Sequence, residues 1–243
     1  MGSLDPFFPY YGSAYMKSRR YPVPRYSKGK EPLCGGAGFS TFHGLKQVDL
    51  MDIDPIIVGV WHYLMHARAD EILALPEMPE VGDHVDNYSL PQEAKWLIGF
   101  WLNRGSAQPK KSRTAYSART DRAQLNWGVR AKERIARQLP ALEGWTIAEG
   151  SYETMANEEA TWFIDPPYVD KGRYYRHSLE LTEFGNVADF CRSRAGQVIV
   201  CEQAGADWLP FRALGSFKST KGRTSEVFWT NDQLEHGLFE VAA

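Results

Sequence analysis

Residues 160–168 read Ala160-Thr161-Trp162-Phe163-Ile164-Asp165-Pro166-Pro167-Tyr168. A short apolar run stops at an acid, two prolines and an aromatic ring. This predicts a buried strand that ends where the prolines withhold their N–H groups. The prolines stiffen the backbone, so the carbonyls of the turn and Asp165 become fixed acceptors facing a pocket. Acceptors aimed at both hydrogens of an aryl amine favour a pyramidal nitrogen and stabilise the charge that develops on it. Tyr168 offers a flat face to a nucleobase, worth roughly 1–3 kcal/mol per stacked base. The plainer reading is a proline-rich turn after a buried strand.

Working outward, Gln197 to Cys201 is an apolar strand, preceded by a helix over 182–194. Residues 211–217 and 224–230 pair as a closing hairpin. Upstream, Trp145 to Glu149 is a strand, with Gly150 in the turn after it. Gln47 to Met51 is another, followed by Asp52-Ile53-Asp54-Pro55. Pro55 opens a helix running to about His66. Strands alternating with helices predict an α/β, doubly wound mixed sheet covered on both faces, with ligands at the carboxyl ends of its strands. Residues 1–30, rich in Tyr, Pro and Arg, predict an extended arm laid over the core. Between the two α/β portions, 1–66 and 141–243, lies a mainly helical insert over 67–140. It has helices at Pro91–Asn103 and Asp121–Leu139 and a polar basic loop at 106–120. Trp96 and Trp101 fall at core spacing, though base stacking is an alternative. The loop over 107–117 is either solvated or ordered by DNA.

The 243 residues, 43% hydrophobic and 24% charged, exclude collagen-like, disordered and coiled-coil chains. The net charge of −2 conceals a sorting of charge along the chain. Between Asp49 and Glu93 ten acids face the single base Arg68. Between Arg104 and Arg137 ten bases face Asp121 and Glu133. The arm adds six more bases against Asp5. Basic segments in a near-neutral chain suggest a polyanion partner, and a solvated helical surface is the alternative. The three cysteines form neither a disulfide framework nor a metal pattern, which predicts a reducing compartment; the remaining reading is a soluble cytoplasmic protein, bacterial or phage-encoded. No apolar run suits a membrane span, and no secretory signal is read at the N-terminus. His62 and His66 stand four apart without a third ligand, so no metal is expected.

Two further features fall at strand ends. Gly35, Gly36 and Gly38 lie in a loop where glycine lets the backbone approach a ligand. Asp52 or Asp54 follows the next strand, where doubly wound folds bind the hydroxyls of an adenosine ribose. Asp54, before Pro55, suits a helix N-cap, which leaves Asp52 as the ribose ligand.

This order of motifs resembles the Dam-type DNA adenine-N6 methyltransferases, class I enzymes dependent on S-adenosylmethionine, and most of all their short phage-associated members. Pro9-Tyr10-Tyr11-Gly12-Ser13 resembles the family's N-terminal cofactor motif, and Glu31-Pro32-Leu33-Cys34-Gly35-Gly36-Ala37-Gly38 its glycine loop. Asp165 to Tyr168 match its catalytic motif, and Ser225 to Asn231 resemble its closing strand. The resemblance implies a class I methyltransferase sheet of the Rossmann type. It places the cofactor against Tyr10, Tyr11, Gly12, Glu31, Pro32, Cys34, Gly35, Gly36, Ala37, Gly38, Asp52, Ile53 and Asp165, with Phe39 beside its methionine end. Ala14 stands where the family carries a lysine, and Lys17 is out of register to replace it. Ser151-Tyr152 stands where the family has an acid and an aromatic against the adenine. Double-stranded DNA would meet Lys110, Lys111, Arg113, Arg119, Arg122 and Arg130 of the insert, and Lys218, Lys221 and Arg223 of the hairpin tip. A restriction nuclease is a conceivable companion. Rival readings are methylation of cytosine N4 or RNA adenine, and a DNA-binding module with a decayed cofactor site. A nicotinamide oxidoreductase lacks its fuller glycine fingerprint here.

Overall fold

The computed structural model describes residues 2–78, 80–102, 106–119, 126–168, 183–219 and 222–232. Seven strands form one sheet: β1 (Lys28–Glu31), β2 (Gln47–Asp52), β3 (Trp145–Glu149), β4 (Ala160–Ile164), β5 (Gly196–Gln203), β6 (Arg212–Ser219) and β7 (Gly222–Thr230). Their order is β3-β2-β1-β4-β5-β7-β6, with β7 antiparallel to both neighbours and the others parallel. The expected α/β doubly wound mixed sheet is therefore present. The strand order reverses between β1 and β4, and a crevice opens beyond their carboxyl ends.

One strand differs from expectation. Residues 28–31 were assigned to the arm and the glycine turn, yet they form β1 at the centre of the sheet. Lys-Gly-Lys-Glu carries no apolar pattern. Lys30 is buried there because its Nζ meets Asp49 at 3.2 Å and the Ala156 carbonyl at 2.9 Å, and lies 5.2 Å from the Trp162 ring centroid. A buried ammonium with such partners is tolerated in a strand that would otherwise reject it.

The helices are α1 (Gly38–His43), α2 (Pro55–His66), α3 (Ala69–Ala74), α4 (Gln92–Leu102), α5 (Ala115–Ala118), α6 (Val129–Gln138) and α7 (Phe184–Ser193). Asp54 caps α2, its side chain accepting from the Ile56 amide at 3.0 Å, and Pro55 occupies the first turn. Ile57, Val60, Trp61 and Leu64 face inward at helical spacing. The arm is anchored by Phe7 and Phe8, whose rings lie 5.7 and 5.4 Å from Trp61. Each such ring removed from water stabilises the fold by roughly 1.5–3 kcal/mol.

The insert packs into the same core as the sheet: α4 lies on α2, α6 lies on α3, and Trp101, Trp127 and Ile135 join one cluster with Val48 and Leu50. Trp101 is thus a core residue, its Nε1 donating to the Phe7 carbonyl at 3.0 Å. The described part of the expected helix over 121–139 begins only at Val129. Acidic and basic segments neutralise one another here. Lys111 meets Asp86 at 3.0 Å and Lys132 meets Glu77 at 3.5 Å. Lys132 also donates to the carbonyls of Leu73 and Leu75 at the end of α3. No helix among the described residues is long and apolar enough to cross a membrane.

Candidate active site

A cleft of about 660 Å3, counting its open mouth, lies beyond β1, β2 and β4. The N-terminal arm forms one wall through Tyr10, Tyr11 and Gly12, with Ser13 and Ala14 behind. The loop after β1 supplies Glu31, Cys34, Gly35, Gly36 and Gly38, and the end of β2 supplies Asp52, Ile53 and Asp54. Asp165 and Pro167 close it from β4. Segments more than a hundred residues apart converge because β1 and β4 are neighbours in the sheet, with Lys30 opposite Trp162.

The glycines are required mainly by the arm. A Cβ on Gly35 would stand 2.7 Å from the Tyr10 ring, and one on Gly38 would stand 2.6 Å from the Tyr15 amide. Gly35 also adopts φ +44°, a left-handed conformation that costs glycine little. Asp52 fastens this loop: Oδ2 accepts from the Gly35 amide at 2.9 Å and Oδ1 from the Asp54 amide at 2.9 Å. The Cys34 thiol also donates to Oδ2 at 3.8 Å, so of the roughly four lone-pair sites of a carboxylate one is left for a hydroxyl donor in the cleft.

Among the described residues the charged groups on this wall are all carboxylates: Glu31, Asp52, Asp54 and Asp165. Burial raises Asp52, against the amides of Asp54 and Gly35. Burial pushes Glu31 up to about 7, although its Oε1 accepts from the Ser40 amide at 2.8 Å. Burial pushes Asp165 up to about 6, opposed by Lys17 and a hydrogen bond with Cys201. Crowded, poorly solvated carboxylates favour a cationic ligand. S-adenosylmethionine, with its sulfonium and ammonium, fits that wall. Ile53, 46% exposed, adds an apolar face.

Several expected ligands lie elsewhere. Phe39 points into the core, stacked on Phe163 with centroids 4.4 Å apart, and Phe163 lines the cleft in its place. Pro32 and Ala37 are buried off the wall, and Leu33 reaches it. Tyr152 turns to the opposite layer, edge-on to Phe190 at 5.0 Å, because a 3-10 turn begins directly after Ser151. Ser151 is half-buried off the cleft, its Oγ 3.5 Å from Glu153. Pro166 is buried. Tyr168 does not line the cleft either. It is buried, and its hydroxyl donates to Glu226 Oε2 at 2.7 Å and accepts from Lys17 Nζ at 3.1 Å. A ring held this way is not available to stack on a base.

Among the expected DNA contacts, Arg113 is a correction. It is buried, with Nη1 donating to the carbonyls of Met78 and Trp127 and Nη2 to that of Ser117. Its guanidinium organises the insert and cannot reach a phosphate. Lys110, Lys111, Arg119, Arg130 and Arg223 are exposed. Arg122 and Lys221 lie outside the described residues, as does the side chain of Lys218. The His62 and His66 rings stack at 4.2 Å, and no group of three or more potential metal ligands occurs among the described residues. All three cysteines are buried and unpaired. Sequence reasoning missed Phe163 and Glu226 as parts of this region and set Lys17 aside for its register.

No protein-family model and no curated protein matches the chain. Similar solved structures include the following two. The rRNA methyltransferase AviRa from Streptomyces viridochromogenes is 14% identical at a TM-score of 0.40, covering 88% of this chain and 80% of its own. YhhF of Escherichia coli, designated a candidate methyltransferase, is 6% identical at a TM-score of 0.34, covering 83% and 74%.

Proposed function

We propose that the chain is an S-adenosylmethionine-dependent methyltransferase acting on an exocyclic amine, the N6 of adenine in DNA. One observation carries this reading: a single cleft is lined both by the loop fastened to Asp52 and by Asp165 and Pro167. Cofactor wall and amine acceptor thus share one space, as direct transfer requires.

The cofactor supplies an electrophilic methyl group. Asp52 would accept from its ribose hydroxyls, and the carboxylates around it would balance its positive charge. An adenine in a duplex hides its N6, so the base must be extruded to reach Asp165. The Asp165 carboxylate accepts from the N6 amino group and holds the nitrogen lone pair toward the cleft. With its pKa about 6, Asp165 is mostly ionised at neutral pH. It therefore stabilises the positive charge developing on nitrogen through a preorganised acceptor. Duplex DNA would lie against the insert, with exposed Lys110, Arg119 and Arg130 on phosphates.

The test is sequencing of DNA from cells expressing the chain, by a method that detects N6-methyladenine. Methylated adenines at a defined sequence are expected, and their loss with Asp165→Ala. Unmodified DNA with the intact chain, or unchanged methylation with the variant, refutes the reading.

A further inference from the structure

We infer that Trp61 is a positioning residue for the cofactor: its indole N–H holds the peptide between Gly35 and Gly36 in one orientation, which presents the Gly36 amide to the cleft as a donor for the cofactor's carboxylate. The inference rests on the reading of the cleft as an S-adenosylmethionine site, but the hold on the peptide can be measured without any ligand.

The loop after β1 turns on four residues. The Ala37 amide donates to the Cys34 carbonyl at 2.6 Å, which leaves Gly35 and Gly36 as the central pair. The central peptide of such a turn can flip where both residues tolerate positive φ, and glycine does. The peptide before it is tied down separately, the Gly35 amide meeting Asp52 Oδ2 at 2.9 Å. The central peptide is held from α2, where Trp61 Nε1 donates to the Gly35 carbonyl at 2.8 Å. Trp61 is fully buried, its ring 5.7 Å from Phe7, 5.4 Å from Phe8 and 5.6 Å from Trp145. A side chain packed on three sides offers its N–H as a fixed donor. One indole thus carries the arm, whose Tyr10 and Tyr11 wall the cleft, and the loop that Tyr10 presses on.

The C=O and N–H of a trans peptide point in opposite directions, and no cis bond occurs among the described residues. With the Gly35 carbonyl drawn toward Trp61, the Gly36 N–H points away from it. Gly36 is buried and lines the cleft, and among the described residues its amide meets no acceptor. A buried donor without a partner is costly until a ligand supplies one. Glu31, Asp52, Asp54 and Asp165 on the wall suit a sulfonium and an ammonium but repel a carboxylate. The cofactor's own carboxylate therefore requires a donor, and the Gly36 amide is one. A flipped peptide would withdraw that donor and turn the Gly35 carbonyl toward the cleft, adding an acceptor to a wall already crowded with them. Trp61 does not line the cleft, so it acts through this peptide rather than on the cofactor.

The experiment compares the full chain with Trp61→Phe, which keeps a ring but removes the donor. Each is titrated calorimetrically with S-adenosylmethionine and with its decarboxylated counterpart, which retains the sulfonium and the amine. Trp61→Phe is expected to weaken S-adenosylmethionine by about 3- to 10-fold, the scale of one lost hydrogen bond, and to leave the decarboxylated ligand within about 2-fold. Damage to the core alone would weaken both ligands alike. Equal losses for the two, or an unchanged affinity for S-adenosylmethionine, overturn the proposal. In the ligand-free chain, 15N relaxation at Gly36 is expected to show a rigid amide, with new motion in Trp61→Phe. A rigid Gly36 amide in the variant also overturns it. If Trp61→Phe does not fold, replacing the indole by the isosteric benzothiophene removes the N–H with the ring shape kept, and the same measurements decide. If the unaltered chain binds neither ligand, the cofactor reading falls. The relaxation result then still decides whether Trp61 holds the peptide.

Discussion

The amide of Gly35 donates to Asp52 Oδ2 at 2.9 Å, so the loop after β1 is fastened to the end of β2 by the side chain that would also meet a ribose. Asp52→Ala leaves the Gly35 and Asp54 amides without that acceptor and removes the ribose ligand. Losing a charge-assisted hydrogen bond costs about 1.5–3 kcal/mol, which corresponds to a roughly 10- to 150-fold weaker affinity for S-adenosylmethionine. Calorimetric titration with the cofactor checks this. Unchanged affinity in a folded variant would remove Asp52 from the cofactor site.

Gly35→Ala tests whether the loop's glycines answer to the arm. The new Cβ would meet the Tyr10 ring at 2.7 Å on a backbone already at φ +44°. A destabilisation of about 1–3 kcal/mol is expected from the clash and the strained conformation. Gly185→Ala is the control, since it lies in α7 and a Cβ there meets nothing within 4 Å. Helix propensity makes that change neutral or stabilising by up to about 1 kcal/mol. Urea unfolding of both variants should separate them. Equal stability of the two would show that the arm does not press on the loop.

The raised carboxyls set two pH dependences of opposite sense. In the free chain Glu31 and Glu202 titrate at about 7 and Asp165 at about 6, all above their ordinary values. Between about pH 4 and 7 the folded state therefore holds more protons than the unfolded one, and these groups make stability fall as pH rises through that window. A cation bound in the cleft prefers Glu31 and Asp165 ionised. Its affinity is expected to rise over the same window, with uptake of the ligand releasing protons. Calorimetry in buffers of different ionisation enthalpy measures that release at pH 6.5. A proton uptake there would contradict the cationic-ligand assignment.

Residues whose neighbours in sequence carry the signal were legible. Helix α2 follows from Asp54, Pro55 and an apolar repeat within twelve residues. Strand β4 follows from five apolar-compatible residues and the break at Pro166. What was hidden depends on partners distant in sequence. β1 is sustained by contacts of Lys30 with Asp49, Ala156 and Trp162, none of them visible in Lys-Gly-Lys-Glu. Glu226 reaches Tyr168 across 58 positions. The exchange of Phe39 for Phe163 has a simpler cause. The rings stack on each other, and one-dimensional reading does not reveal which of the two borders the cleft. Charge sorting misled most, because counting bases did not distinguish Lys132 and Arg113, which bind the insert's own carbonyls, from exposed Lys110.

Arg113 gives that distinction a measurable form. Its guanidinium donates to the carbonyls of Met78, Trp127 and Ser117, bringing together three stretches of the insert. Arg113→Ala removes these charge-assisted bonds from the Met78 and Trp127 carbonyls, while the Ser117 carbonyl keeps the Asn126 side-chain amide at 2.9 Å, a loss of about 2–5 kcal/mol. Lys110→Ala and Arg130→Ala change exposed side chains and should shift stability by less than about 0.5 kcal/mol. If duplex DNA lies on the insert, those two variants weaken its binding and each flattens the salt dependence by about one phosphate contact. Chemical unfolding paired with DNA titrations at several salt concentrations reads both quantities. A stable Arg113→Ala that loses DNA affinity would restore the phosphate role that its burial now argues against.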